Sequence, residues 1–327
     1  MRKENIFEAM QNDIINSSLS ESEKNIMLKN VMRLKEQKVN IMVTGATGCG
    51  KSSTINALFD TEVAKVGVGV DPETMEIEKY ELDNLILWDT PGLGDGKEAD
   101  ERHTRNIINK LNEVDKNGDA LIDLVLVILD GGTKDFGTSY DLINKVIIPN
   151  IGKGREERIL VAINQADMAM KGRNWDSIRN EPNQQLVDFL EEKVRSVKDR
   201  VCEATGIKVD PIYYCAGYKE AGGEQCRPYN LSKLLYYIVK STPSGKRMIY
   251  ANNVNQDEKM WKDDDKKMDY SSKTRSKILE SIEEGCAAGA SVGEAIGSVF
   301  GETGKSIGRK IGSVAGGVVG FLRGLFR

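Results

Sequence analysis

Residues 41–53 read Ile41-Met42-Val43-Thr44-Gly45-Ala46-Thr47-Gly48-Cys49-Gly50-Lys51-Ser52-Ser53, and the reading of this stretch decides the fold. An apolar, β-branched run breaks into glycines and then into residues that open a helix. Gly45, Gly50, Lys51 and Ser52 fill the pattern G-x-x-x-x-G-K-[ST] without a mismatch. In such a loop the backbone N–H groups from Gly45 through Ala46, Thr47, Gly48, Cys49 and Gly50 to Lys51, Ser52 and Ser53 can curl around phosphate oxygens. The helix N-terminus behind them adds partial positive charge. Lys51 is placed to reach the β- and γ-phosphates, and the Ser52 hydroxyl to hold Mg²⁺.

Two further motifs follow, each at the end of an expected strand. Asn84–Trp88 is β-patterned and runs into Asp89-Thr90-Pro91-Gly92. Asp89 there would hold Mg²⁺ through water, and the Gly92 N–H would donate to the γ-phosphate. Thr74, in the glycine-punctuated segment 63–74, is placed to give its hydroxyl and carbonyl to Mg²⁺ and the γ-phosphate, with Thr61 as the weaker rival for that role. The expected metal set is therefore Ser52, Thr74 and Asp89, and the groups acting on the transferred phosphoryl are Lys51, Thr74 and Gly92. The run Ile159–Ile163 ends on Asn164-Gln165-Ala166-Asp167. A carboxylate at Asp167 can accept from the N1–H and exocyclic amine of guanine, a pair of donors adenine lacks, while Asn164 bridges neighbouring loops.

Outward from these motifs, strands alternate with helices from Val39 to about residue 241. Expected strands are 39–44, 76–82, 84–88, 121–129, 159–163 and 211–215. Expected helices are 51–59, one that ends near Gly118, 182–205 and 231–239. This order predicts an α/β, doubly wound, mostly parallel sheet with its ligand chemistry at the carboxyl ends of the strands. The expected divisions are an N-terminal helical element at 1–37 with a break and new N-cap at 18–22, a nucleotide-binding domain at 38–241, a charge-dense linker at 242–273, and a glycine-rich tail at 274–327. His103 reads as a residue on the surface of a helix, with a catalytic part as the alternative because it lies just beyond the DTPG loop.

The bulk composition suits a soluble protein: 39% hydrophobic, 29% charged, net charge −4 in 327 residues. That balance does not favour nucleic acid as a partner. Five scattered cysteines, with no C-x-x-C pair, fit a reducing, cytoplasmic setting. A single histidine excludes a histidine-based metal site.

In the tail, Gly285, Gly289, Gly293, Gly297 and Gly301 recur every four residues, and the ladder resumes from Gly304 to Gly324. On a helix this places glycine along one face, where two backbones can approach closely. So much glycine disfavours an isolated helix by up to about 1 kcal/mol per residue, so an apolar partner should supply the stability. A membrane-associating or self-associating glycine zipper over 285–327, helices folded against the body, and a flexible tail all fit the pattern.

Taken together, GATGCGKS, Thr74, DTPG, NQAD and the loop at Cys215-Ala216-Gly217 resemble the five-motif set of P-loop GTPases of the translation-factor-related class, Era-like branch. The fuller wording is similar to prophage-type bacterial GTP-binding proteins, and more distantly to immunity-related GTPases. The resemblance covers roughly residues 38–241. It implies GTP and GDP as ligands with Mg²⁺, a nucleotide site that adds Asn164, Gln165, Asp167, Cys215 and Ala216 to the loop residues, and hydrolysis of GTP to GDP and phosphate. Three departures stand out. Gln165 replaces the usual lysine, Cys215 replaces a commoner serine, and Leu93 stands where Ras-like enzymes place a water-orienting glutamine, which implies slow intrinsic hydrolysis. The expected role is a nucleotide switch coupled to a homodimer through the GTPase domain, or to a membrane or partner helix through the tail, peripheral on the inner face of the membrane. The alternatives are a ribosome- or RNA-associated Era-like assembly GTPase and a slowly hydrolysing nucleotide-binding scaffold.

Overall fold

A computed structural model describes residues 5–17, 19–59, 77–94, 96–134, 136–152, 156–218 and 226–287. Thr74 and almost all of the glycine ladder lie outside the described residues.

The described chain opens with two helices packed on each other, α1 (Ile6–Asn16) and α2 (Glu21–Lys35). Ser20 caps α2 and Glu23 returns the bond to its backbone, a reciprocal capping box at the break expected from sequence. There follow β1 (Val39–Gly45), α3 (Lys51–Phe59), the hairpin strands β2 (Glu78–Leu82) and β3 (Leu85–Asp89), α4 (Lys97–Asn112) and β4 (Leu124–Asp130). Next come α5 (Gly137–Asp141), a π-helical turn Leu142–Ile147, α6 (Ile148–Asn150) and β5 (Ile159–Asn164). A two-residue hairpin of β6 (Trp175–Asp176) and β7 (Glu181–Pro182) precedes α7 (Gln184–Thr205), β8 (Ile212–Tyr213) and α8 (Leu231–Ser241). The described chain closes with α9 (Tyr250–Asn253) and α10 (Tyr270–Ala287).

Among the described residues the main sheet has six strands in the order β2-β3-β1-β4-β5-β8. All neighbours are parallel except the antiparallel edge hairpin β2–β3. Alternation along β4 supplies two cores: Leu124, Leu126 and Ile128 face one, Val125, Val127 and Leu129 the other. The first core takes α1, α2, α3, α8, α9 and part of α10. The second takes α4, the helical stretch 137–150 and α7. A strand buried on both faces needs this unbroken apolar run, and the result is an α/β P-loop fold with a mostly parallel sheet.

Several elements differ from the sequence reading. Helix α4 stops at Asn112, because Asp115 turns the chain by accepting from the Asn117 and Asp119 N–H groups. Strand β4 starts at Leu124, after Asp123 has taken the Asn40 N–H. His103 is 1% exposed, not on the surface. With Ile107 and Leu111 it forms the buried i, i+4, i+8 stripe of α4.

The charge-dense segment expected to be a linker is packed. Met248, Ile249, Tyr250 and Trp261 are buried in the first core. Its acidic residues have assigned partners: Asp264 accepts from the Ser232 hydroxyl, and Asp265 holds the Lys233 ammonium at 2.7 Å. The N-terminal helix joins the same face, with the Ile6 N–H donating to Asn252 Oδ1 at 3.0 Å. Lys246 reaches back to Asp123, whose side chain is 4% exposed, at 2.8 Å. Replacing Lys246 by methionine would leave that carboxylate buried and unpaired. Because the lysine itself is partly exposed, we expect a loss of about 2 kcal/mol, below the 3–5 of a fully buried pair. Urea unfolding of the full chain reads this, and an unchanged midpoint would show that the Lys246–Asp123 pair adds nothing to stability.

Candidate nucleotide site

The carboxyl ends of β1, β3, β5 and β8 bring the motifs to one edge of the sheet. After β1, the loop 45–50 needs its glycines at defined points. Gly45 has φ +152°, and a Cβ there would lie 2.2 Å from the Ile128 carbonyl oxygen. Gly50 has φ +90°, and its Cβ would meet the Asn164 side-chain nitrogen at 2.3 Å. Lys51 folds its ammonium over the loop, 3.4 Å from the Gly45 carbonyl and 3.3 Å from that of Ala46. Cys49 is fully buried, so its thiol faces protein, and burial pushes its pKa up.

Asp89 ends β3 and is 2% exposed. Its Oδ2 accepts from the Ser52 hydroxyl at 3.2 Å, while Oδ1 is buried with no hydrogen-bond partner. Burial pushes this carboxyl up to about 6, against the opposing pull of the Lys51 charge. An orphaned carboxylate oxygen beside a serine hydroxyl is a donor set that fits Mg²⁺. Gly92 lies against the phosphate loop, where a Cβ would come within 2.6 Å of the Thr47 backbone N and Cα. Beyond it, the Thr47 N–H donates to the Leu93 carbonyl at 3.3 Å. The Leu93 side chain is 6% exposed and packs in the second core, so it does not orient a water.

At the end of β5, Asn164 joins three loops. Its amide donates to the Cys49 carbonyl at 2.9 Å, and its oxygen accepts from the Ala216 N–H at 3.0 Å. Gln165 adopts a left-handed backbone, φ 57°, and its amide donates to the Gly48 carbonyl at 2.8 Å. A neutral glutamine therefore still ties the base loop to the phosphate loop. Cys215 donates its thiol proton to Asp167 Oδ1 at 3.0 Å. Burial, with the Asp167 carboxylate beside it, holds that thiol well above its usual range. Of the residues expected from sequence, the structure brings together the loop 45–53, Asp89, Gly92, Asn164, Gln165, Asp167, Cys215 and Ala216.

Residues 40–165 match the family model described as 50S ribosome-binding GTPase. This stretch is therefore similar to P-loop GTPases. The chain is 36% identical over 103 residues to Translocase of chloroplast 125 of Physcomitrium patens, covering 30% of this chain and 9% of that protein. It is 35% identical over 100 residues to Interferon-inducible GTPase 1 of Mus musculus, covering 29% and 21% of the two chains. The chain thus spans a small fraction of these relatives' length. A solved structure of Toc33 from Arabidopsis thaliana aligns over 70% of this chain and 94% of its own, with a TM-score of 0.44 and 16% identity.

His103, read from sequence as a surface helix residue with a catalytic part as the alternative, is buried beside this site. Its Nδ1 lies 3.1 Å from the Gly92 carbonyl oxygen. The helical stripe with Ile107 and Leu111 was the available signal. The structure also makes Gly50 testable. Gly50→Ala would strain the left-handed backbone and displace Asn164, at a cost of about 2 kcal/mol or more. We expect a lower unfolding temperature and at least tenfold weaker nucleotide binding by fluorescence titration; full retention of both would mean that Asn164 does not hold the loop.

Proposed function

We propose that this protein is a Mg²⁺-dependent GTPase that hydrolyses GTP to GDP and phosphate and works as a nucleotide switch. The observation that carries this reading is Asn164, one side chain that holds the phosphate loop and the Cys215-Ala216 loop together beside the base-reading Asp167. The β- and γ-phosphates sit under the loop 45–50 with Lys51 as their counter-charge. Ser52 and Asp89 would hold the metal, and Thr74 is assigned to it from the sequence alone. Mg²⁺ supplies neutralisation of the charge on the phosphate oxygens. Gly92 presents its N–H to the γ-phosphate, and guanine is read by Asp167 with the Ala216 N–H and Gln165 alongside.

The Leu93 side chain is turned into the core, which supports slow intrinsic turnover until a partner, or a second protomer through the GTPase domain, completes the site. The Era-like and prophage-type likeness supports a cytoplasmic bacterial setting. The net charge of −4 supports a protein or membrane partner over RNA. Among the described residues no helix is long and apolar enough to cross a membrane. The ladder 285–327 is read as the element that meets an apolar partner or bilayer surface, because its glycines leave it unstable alone.

Equilibrium binding and multiple-turnover phosphate release test the core of this. We expect GTP and GDP to bind with Mg²⁺ dependence, ATP at least about 100-fold more weakly, and slow phosphate release. Tight ATP binding, or no nucleotide binding, would overturn the reading. For the tail, liposome co-sedimentation of the full chain and of residues 1–287 is expected to show tail-dependent binding favoured by GTP. Equal sedimentation of the two would remove the membrane role.

A further inference from the structure

Three successive residues of the loop after β3 are each held by a partner. The Gly92 carbonyl faces His103 Nδ1 at 3.1 Å, and the Gly94 N–H donates to Asp100 Oδ1 at 2.9 Å. Both partners belong to α4. Between them, the Leu93 carbonyl takes the Thr47 N–H from the phosphate loop. A carbonyl can only accept, so Nδ1 must carry the proton and donate. That tautomer leaves Nε2 as an acceptor, and Nε2 is buried with no hydrogen-bond partner. The fold therefore tolerates an unsatisfied nitrogen in order to keep a donor on Gly92. On its other side Gly92 faces the phosphate loop closely, since a Cβ there would lie 2.6 Å from the Thr47 N and Cα.

We propose that His103 is a positioning residue for the γ-phosphate sensor. Its Nδ1–H holds the Gly92 carbonyl and with it the peptide plane between Gly92 and Leu93, which restricts ψ of Gly92 and so leaves the Gly92 N–H fewer directions. The same bond couples any nucleotide-dependent movement of Gly92 to α4. The inference rests on the proposed GTPase reading and adds to it a residue outside the five motifs. It also assigns His103 a cost that a purely structural role would not explain. A leucine would extend the Ile107 and Leu111 stripe and remove the orphaned nitrogen, so simple packing predicts that His103→Leu is harmless.

The test uses the full chain with His103→Leu, His103→Asn and His103→Gln, titrated with GDP and with a non-hydrolysable GTP analogue in Mg²⁺. The leucine variant is expected to bind the analogue about 3- to 10-fold more weakly, the worth of one hydrogen bond. GDP affinity and unfolding temperature should be unchanged. Asparagine places an amide donor near the position of Nδ1 and should restore most of the loss. Glutamine carries its donor near Nε2 and should behave like leucine; it stands in for leucine if that variant does not fold. Equal weakening of both nucleotides, no weakening at all, or an asparagine variant no better than the other two would overturn the proposal. Those outcomes presuppose that the unsubstituted chain binds GDP and the analogue. If it binds neither, the GTPase reading falls and this one with it.

Discussion

Replacing Asp167 by asparagine is expected to weaken GTP binding by about 10²- to 10³-fold and to make the corresponding xanthine nucleotide the better ligand. Guanine offers two donors on one edge, N1–H and the exocyclic amine, and a carboxylate accepts both. An asparagine amide accepts from one and turns its own donor toward the other. Each lost bond to a charged acceptor is worth roughly 1.5–3 kcal/mol, and a site built around a hydrogen-bond pattern rejects ligands that break it. Xanthine carries a carbonyl where guanine has the amine, so the amide matches it. The surroundings should tolerate the change, because asparagine Oδ1 can still accept from the Cys215 thiol that now lies 3.0 Å from the carboxylate. Competition titrations of guanosine and xanthosine diphosphates read the result. Parallel losses for both, or unchanged guanine preference, would show that Asp167 does not read the base.

Much of this site was legible because its chemistry is local in sequence. Gly45 to Ser53 carries its strand, loop and helix start in one stretch, and α3 runs over Lys51–Phe59 as expected. Asp89 and Asn164 end strands whose apolar runs mark them. What could not be read depends on contacts between distant residues. His103 looks like a polar helix residue until α4 is set against the Gly92 loop. The helical stretch 137–150 has an interrupted register, because a π-turn spans Leu142–Ile147 and Pro149 follows. In the segment 242–273 the charges hide the apolar residues that matter. Trp261 donates its indole N–H to the Asn255 carbonyl, and Asn255 in turn bonds the Ala57 carbonyl behind the phosphate loop. Composition averages over such pairs. The N-terminal helices illustrate the same limit, since their amphipathic pattern was clear but their partner, α9 and α10, was not.

Asp89 separates function from stability, and its replacement by asparagine is expected to move the two in opposite directions. The carboxylate is 2% exposed, has one oxygen without a partner, and is pushed up to about 6 by burial. Keeping such a group ionised in the absence of metal costs on the order of 3 kcal/mol at neutral pH. An amide of the same shape removes the charge and retains an acceptor for the Ser52 hydroxyl. In a chelator, Asp89→Asn should therefore unfold at the same temperature as the parent or a few degrees higher. With Mg²⁺ and GTP the order should reverse. The amide is a poorer partner for a hard dication, and phosphate release should fall by about 100-fold or more. The metal concentration needed for half-maximal GTP binding should rise. Calorimetric melting with and without Mg²⁺, paired with phosphate-release assays, checks both halves. A clear drop in the chelated melting temperature would mean that Asp89 is retained as the ion-pair partner of Lys51, and that the orphaned oxygen does not mark a metal site.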